Sequence, residues 1–263
     1  MATNYITFRR IYVYEGALAY LQAGARFVAF KKINVSDNKM YKRAVLVVQD
    51  YSQFWLWDCI FSGNDADTDS AIIYANANRN VNVQTLDSFS TKSTSLKNES
   101  YMENCIVTAS AVGEFGCLIT VIDSKLNLKS VTFKENAKIY DDSYGIVAIY
   151  SELEIEDCVF KGPSNSDQMT RMYTKTIKDV AGGFLSIQQR SVVNVKSTTF
   201  ETARARRRGG CVEITSESSA SFKTSTFRQC LANYGGAIYA SGHKNLVIKS
   251  SDFSENIAYE GKG

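Results

Sequence analysis

Residues 246–256 read LVIKSSDFSEN, and residues 220–230 read ASFKTSTFRQC. The two stretches share one pattern, with an anchor phenylalanine, Phe253 or Phe227, at the eighth position. Further copies of this pattern lie upstream, each with an apolar residue at the anchor position. These earlier anchors are Phe200, Phe160, Phe133, Val107, Phe61 and Val35. Five of the seven intervals between successive anchors are 26 or 27 residues long. A fixed period in this range predicts a solenoid, in which each repeat forms one coil and stacks on its neighbours.

The residues around each anchor alternate with a period of two. The fifth residue before the anchor is apolar in every copy, and so is the seventh, except at Ser100. The residues between them are mainly Lys, Glu, Asn and Ser, which indicates a strand with one buried face. A polar residue stands three positions before each anchor, as a corner requires. A second strand follows a glycine corner, of which Gly235 and Gly236 are the clearest example, because glycine reaches positive φ without steric cost.

These features predict an all-β fold, a right-handed parallel β-helix of about eight to nine coils. Residues 1–15 are expected to form a lead-in strand or cap, and residues 16–263 the β-helix itself. The two long anchor intervals predict insertions near 76–98 and 163–178. An alternative interpretation of 76–98 is an irregular extra coil. Gly261 and Gly263 fall where the next glycine corner is due, so we expect the chain to be a piece of a longer protein.

Composition agrees with strands and polar turns. Apolar residues make up 44% of the chain, with one Pro, one His and a net charge of +3. No window is apolar enough to cross a bilayer, and the N-terminus lacks the apolar core of a signal peptide. Two N-glycosylation sequons begin at Asn34 and Asn98, and they favour a secreted setting.

The six cysteines are too sparse for a disulfide scaffold. Cys59, Cys105 and Cys158 share the position two before the anchor, where we expect buried small residues on coils that are not successive. The sequence assigns no pairing to the other three cysteines.

The Phe-x-x-Asn motif together with Gly-Gly-Ala-Ile resembles the repeats of chlamydial polymorphic membrane proteins. The match is closest at Phe227 to Tyr239, Phe253 to Asn256 and Phe133 to Asn136. This resemblance implies a β-helix of the pectin-lyase-like kind that serves in adhesion or surface coating. The membrane-inserting barrel of that family is not among these residues, so membrane attachment is expected only through parts outside this chain.

Enzymes on this fold use clustered carboxylates, and glycoside hydrolysis needs two carboxyl groups facing one substrate. The outward position four before the anchor has no acid stacked on an acid in successive coils. The single histidine, His243, lies in a Ser-Gly-His-Lys turn and is interpreted as a solvated residue. We therefore predict no enzymatic activity and no catalytic residues.

Two charged motifs have alternative interpretations. Asp65, Asp67 and Asp69 alternate like the start of a calcium loop, but Ser70 and Asn76 replace the Gly and Glu that such a loop requires. Calcium is thus a candidate cofactor, with an acidic solvated loop as the alternative; no other cofactor is predicted. The arginine-rich run 204–208 is interpreted as a charged loop, with a protease site or a binding patch as alternatives, and nucleic acid is disfavoured because no aromatic residues interleave it.

The most unusual surface feature is aromatic. Within Phe54-Trp55-Leu56-Trp57, the register points Trp55 and Trp57 outward, and Tyr101 holds the position of Trp55 in a later coil. Exposed indoles suggest stacking on a sugar or a partner protein, although burial under the 76–98 insertion or the N-terminus is the alternative.

The sequence therefore predicts a non-enzymatic structural or adhesive module of a larger cell-surface or extracellular protein, with protein or glycan partners. Two alternatives are a carbohydrate-active enzyme of the pectin-lyase type and an internal scaffold or filament subunit.

Overall fold

The computed structural model describes residues 6–14, 17–22, 25, 28–42, 44–50, 52–66, 70–77, 99–112, 117–138, 144–162, 183–205 and 207–260. Within these ranges the chain is all-β, and every strand pairing is parallel. Successive coils contribute one strand each to three long sheets. Within a coil, the chain passes first through the sheet that we call the rear sheet, then through the front sheet, and then through the anchor sheet, which contains the anchor residues. The predicted parallel β-helix is confirmed.

The anchor sheet has nine strands and contains the ladder of anchor residues. The strands are Ile6–Arg9, Ile33–Ser36, Ile60–Ser62, Ile106–Thr108, Thr132–Lys134, Val159–Lys161, Thr199–Glu201, Thr226–Arg228 and Asp252–Ser254. The phenylalanine rings stack face to face along the sheet, with centroids 4.7 Å apart for Phe133 and Phe160, and 4.8 Å apart for Phe200 and Phe227. The predicted register is therefore correct.

This ladder is one residue longer than the sequence pattern indicated. Phe8 lies opposite Val35 and is a ninth anchor, although its surroundings carry little of the repeat. At the other end Phe253 stacks on Phe227 at 4.7 Å but is 45% exposed, because the last described strand of the sheet has a neighbour on one side only.

The front sheet has eight strands with alternating burial. They are Val28–Lys31, Phe54–Trp57, Glu99–Glu103, Lys125–Lys129, Glu152–Glu156, Val192–Lys196, Ser219–Lys223 and Asn245–Lys249. In Phe54–Trp57, for example, Phe54 and Leu56 are buried while Trp55 and Trp57 are exposed. This alternation leaves one face of the sheet in solvent, as the sequence pattern predicts.

The rear sheet also has eight strands, and its six inner strands are largely buried on both faces. They are Ala19–Leu21, Leu46–Gln49, Ser70–Asn76, Cys117–Ile122, Tyr144–Ile149, Leu185–Gln188, Val212–Thr215 and Ile238–Ser241. Leu46 and Val48 belong to the interior core, while Val47 and Tyr74 join a second apolar cluster with Ile122. Burial on both faces explains why these strands read as continuous apolar runs.

Short strands complete the coils beyond the anchor sheet. Five of them form one small sheet, Tyr12–Val13, Lys39–Met40, Asp65–Ala66, Ala111–Val112 and Ala137–Lys138, and two more pair as Leu231–Ala232 with Ile257–Ala258.

The corner before each anchor has left-handed backbone in all eight coils of the sequence pattern. The residues three positions before the anchors are Lys32, Asp58, Asn104, Ser130, Asp157, Ser197, Thr224 and Ser250, with φ between 48° and 55°. After glycine, Asn and Asp tolerate this conformation best, because their short polar side chains can form hydrogen bonds locally. The glycine corner is also present, since Gly235 has φ of +60°, and a Cβ on Gly236 would lie 2.6 Å from the backbone of Ile257.

The asparagine of the Phe-x-x-Asn motif forms a buried ladder between coils. The Nδ2 of Asn64 donates to the carbonyl of Val35 at 2.8 Å, and its Oδ1 accepts from the Nδ2 of Asn38 at 2.9 Å. Asn256 repeats the arrangement by donating to the carbonyl of Phe227 at 2.9 Å. The motif thus satisfies backbone groups that the corner leaves without strand partners.

Strand pairing runs directly across both long anchor intervals. Trp55 lies opposite Tyr101, so the coils on either side of 78–98 are neighbours and no coil separates them. Likewise Val159 lies opposite Thr199 across 163–182. Residues 78–98 and 163–182 themselves lie outside the described ranges. In the described part of the chain, no helix is long and apolar enough to span a membrane.

Candidate binding face

The outward side chains of the front sheet form a continuous surface, which we call the front face. Strand register aligns them in three rows that run along the solenoid. The middle row is Ala29, Trp55, Tyr101, Asn127, Glu154, Asn194, Ser221 and Val247. The row nearer the anchor is Lys31, Trp57, Glu103, Lys129, Glu156, Lys196, Lys223 and Lys249. The third row includes Glu99, Lys125, Glu152, Val192, Ser219 and Asn245.

One end of the front face is aromatic. Trp55 and Trp57 are 39% and 37% exposed, and their rings lie nearly parallel with centroids 5.8 Å apart. Tyr101 tilts against Trp55 at 5.8 Å, and the ammonium group of Lys31 lies 4.1 Å from the Trp57 ring centroid. The structure therefore leaves both indoles partly exposed on the outward side, as the strand register predicts, and the cation–π contact with Lys31 holds the Trp57 ring.

The middle of the face consists of interleaved charges. Lys125 pairs with Glu99 at 2.9 Å, and Asn127 donates to the same carboxylate at 3.1 Å. The hydrogen bond from Lys125 lowers the pKa of Glu99, while partial desolvation and a hydrogen bond with Glu99 raise the pKa of Tyr101. Opposite charges in neighbouring coils thus hold this part of the surface in a defined arrangement.

The other end is basic. Lys196, Lys223 and Lys249 lie in register on three successive strands and are exposed. Lys196 pairs with Glu156 of the preceding coil at 2.6 Å. Within the described ranges Lys223 and Lys249 have no ion-pair partner, so positive charge accumulates there.

Sequence reasoning missed a group of three carboxylates on one strand. Glu152, Glu154 and Glu156 share the outward side of Glu152–Glu156, where alternate positions face the same way. Asn194 donates to Glu154 at 2.8 Å, and the hydrogen bond from Lys196 lowers the pKa of Glu156. The pattern Glu-x-Glu-x-Glu was the available signal.

The remaining candidate residues do not join the front face. His243 is exposed beside Gly242, a corner residue with φ of +61°. Asp65 lies in the small sheet opposite Lys39, while Asp67 and Asp69 lie outside the described ranges. Among described residues no three His, Cys, Asp or Glu side chains come together as a metal site. The calcium hypothesis therefore stays a prediction.

The described part of the arginine-rich run, which the sequence predicts to be a charged loop, lies between strands and is bonded to the solenoid. Its backbone is tied to the next coil, because Ala205 donates to Leu231 and Arg207 accepts from Tyr234, both at 2.9 Å. Arg208 pairs at 2.9 Å with Glu213, whose side chain is 4% exposed and whose pKa is raised by burial. A buried carboxylate thus binds the run into the solenoid; Arg206 lies outside the described ranges.

The two sequons lie in different situations. Asn34 is in mid-strand between Thr7 and Ile60, half-buried, with its carboxamide oxygen removed from solvent and without a hydrogen bond. Asn98 lies outside the described ranges. Glycosylation at either position stays a prediction.

The cysteines form one disulfide and one close pair of thiols. Cys211 and Cys230 are bonded, with Cα atoms 5.4 Å apart, a pairing that the sequence did not assign. The expectation that the anchor-linked cysteines avoid successive coils is wrong, because the N–H of Cys59 lies 3.4 Å from the Sγ of Cys105. The sequence did not show that these two coils are neighbours, because their anchors, Phe61 and Val107, are 46 residues apart. Cys59, Cys105 and Cys158 are buried as predicted.

Comparisons with protein-family models, with curated proteins and with solved structures find no match to this chain. The functional conclusion therefore depends on the fold and on the front face.

Proposed function

We propose that this chain is a non-enzymatic structural or adhesive β-helix module that binds a macromolecular partner through the front face. One observation carries the proposal: two adjacent tryptophans are exposed on a strand whose counterparts in other coils carry mainly charged and small polar residues. Aromatic side chains offer large contact areas at a small entropic cost, and tryptophan is favoured at binding hot spots.

The setting that we propose is a cell surface or the extracellular space. The Cys211–Cys230 disulfide supports it, because structural disulfides persist in oxidising compartments. The resemblance of the Phe-x-x-Asn and Gly-Gly-Ala-Ile motifs to surface-protein repeats also supports it. Partners of either class, protein or glycan, are compatible with an aromatic surface flanked by charges.

The experiment compares the wild-type chain with the double variant Trp55→Ser, Trp57→Ser on an array of defined neutral and acidic oligosaccharides and on intact cells. The chain has only these two tryptophans, so its intrinsic fluorescence reports directly on the front face. We expect the double variant to keep its melting temperature and to lose binding by about 30-fold or more, the effect of one hot-spot residue.

The matched control is Tyr234→Ser, which removes an aromatic residue of similar exposure (40%) away from the front face. It should leave binding unchanged. Equal binding by the wild type and the tryptophan double variant would exclude the front face as the contact surface. A large loss of thermal stability in the double variant would instead assign the indoles a packing role.

A further inference from the structure

We propose that the front face binds the front face of a second copy of this chain, with the two solenoids antiparallel. The two-fold axis runs parallel to the strands, between Lys125–Lys129 and Glu152–Glu156. This inference rests on the proposed function, because it names a partner for the same surface.

The symmetry determines which residues meet. A two-fold axis parallel to the strands keeps each row on the same row of the second copy and reverses the order of the coils, so the interface is isologous. The third front strand then faces the sixth of the second copy, and the fourth faces the fifth. All eight front strands overlap in this arrangement.

The charges of the two faces are complementary in this register. Glu103 faces Lys196 of the second copy, and Lys129 faces Glu156 of the second copy. In the third row, Lys125 faces Glu152 of the second copy. Each of these contacts occurs twice by symmetry, which places opposite charges along the centre of the interface.

Side-chain sizes are complementary as well. The bulky Trp55 faces Ser221 of the second copy, and Tyr101 faces Asn194. Trp57 faces Lys223, which has no ion pair within the described ranges and would gain a cation–π partner. The aromatic end of one copy therefore meets the small-residue, basic end of the other.

Other registers oppose like charges. A slip by one coil places Glu103 against Glu156 in one direction and Lys129 against Lys196 in the other. A two-fold axis along the solenoid would place Glu103 against Glu99. The proposed register has one unfavourable pairing, Lys31 against Lys249, which occurs once at each solvated end of the interface, where salt screens it.

The area suits a specific but modest interface. Eight strands at roughly 4.8 Å spacing and about five residues of strand width give a projected footprint of about 600 Å² per copy. This is near the roughly 800 Å² that each partner contributes to a standard interface. The contacts are mainly polar, so we expect association that weakens as salt concentration rises.

The test is sedimentation velocity on the wild type, on Glu103→Lys and on Lys196→Glu, each alone and mixed, with folding checked by circular dichroism. We expect a concentration-dependent dimer for the wild type and association weakened about tenfold or more in each variant alone, because each sets like charges against each other twice. An equimolar mixture of the two variants should recover the dimer. In the mixed pair, one copy is basic at both positions 103 and 196 and the other is acidic at both, so each of the two contacts again joins opposite charges.

Lys134→Glu on the anchor sheet is the matched control and should dimerise like the wild type. A monomeric wild type up to about 300 µM, well above typical specific affinities, would overturn the proposal. So would a mixture of the two variants that stays monomeric, or single variants that dimerise normally. A monomeric chain whose ligand binding is lost in the tryptophan double variant would retain the proposed function while excluding self-association.

Discussion

Removing one ring from the middle of the phenylalanine ladder should be far more damaging than removing one from its end. Phe227 is fully buried, and its ring stacks between Phe200 at 4.8 Å and Phe253 at 4.7 Å. Burying a phenylalanine side chain removes roughly 150–250 Å² from water, worth about 4–6 kcal/mol at about 25 cal/mol per Å². Phe227→Ala should therefore lower the free energy of unfolding by about 3–5 kcal/mol, as for other buried phenylalanines.

The end of the ladder provides the control. Phe253 is 45% exposed and, among the described residues, stacks on the ring of Phe227 alone, so Phe253→Ala should cost about 1–2 kcal/mol. Urea denaturation followed by far-UV circular dichroism measures both values. At about 2–4 °C per kcal/mol for a chain of this size, the melting temperatures should fall by roughly 10 °C and roughly 4 °C.

Phe227→Asp extends the series, because it places an unpaired charge in the ladder and should unfold the adjacent coils. Equal losses for the two alanine variants, or a Phe227→Asp variant as stable as the wild type, would refute the reasoning that the anchor ladder carries the core.

Three further predictions concern individual contacts, and a fourth concerns catalysis. Asn64→Ala should lower the free energy of unfolding by about 2–3 kcal/mol in chemical denaturation, because it leaves buried polar groups without hydrogen-bond partners. Asn64→Ser should lower the free energy of unfolding by less. Reduction of the Cys211–Cys230 disulfide should cost about 3 kcal/mol for a 19-residue separation, seen as a lower melting temperature with reductant; an unchanged value would argue against the bond. Lys125 keeps the pKa of Glu99 below its ordinary 4.5 in the folded chain. The ion pair therefore stabilises the fold above pH 4.5, and this contribution is lost as the pH falls through the lowered pKa of the folded state. Lys125→Met should raise the pKa of Glu99, as measured by carbon-13 NMR titration. Polygalacturonate should not be cleaved with or without calcium, and unsaturated or reducing products above background would contradict the non-enzyme proposal.

Much of the fold could be predicted because it depends on the spacing of residues within one coil. An inward residue at Phe160 and an outward one at Trp57 follow from a period of two, and the corner at Asp157 follows from a short polar residue at a constant distance from the anchor. The outward direction of the two indoles on the candidate face was readable for the same reason. Their stacking on one another and on Lys31 was not, since side-chain rotamers depend on neighbours in other coils.

By itself, then, the sequence determined the repeat, its register and the buried ladder, because each of these depends on residues within one coil. Only the tertiary structure decided which coils are neighbours across a long insertion, and therefore that Cys59 lies beside Cys105 and Trp55 beside Tyr101. It also decided that Glu213 is buried against Arg208 and that the rear sheet is covered on both faces. These features arise from contacts between residues distant along the chain, and spacing within one repeat carries no information about them.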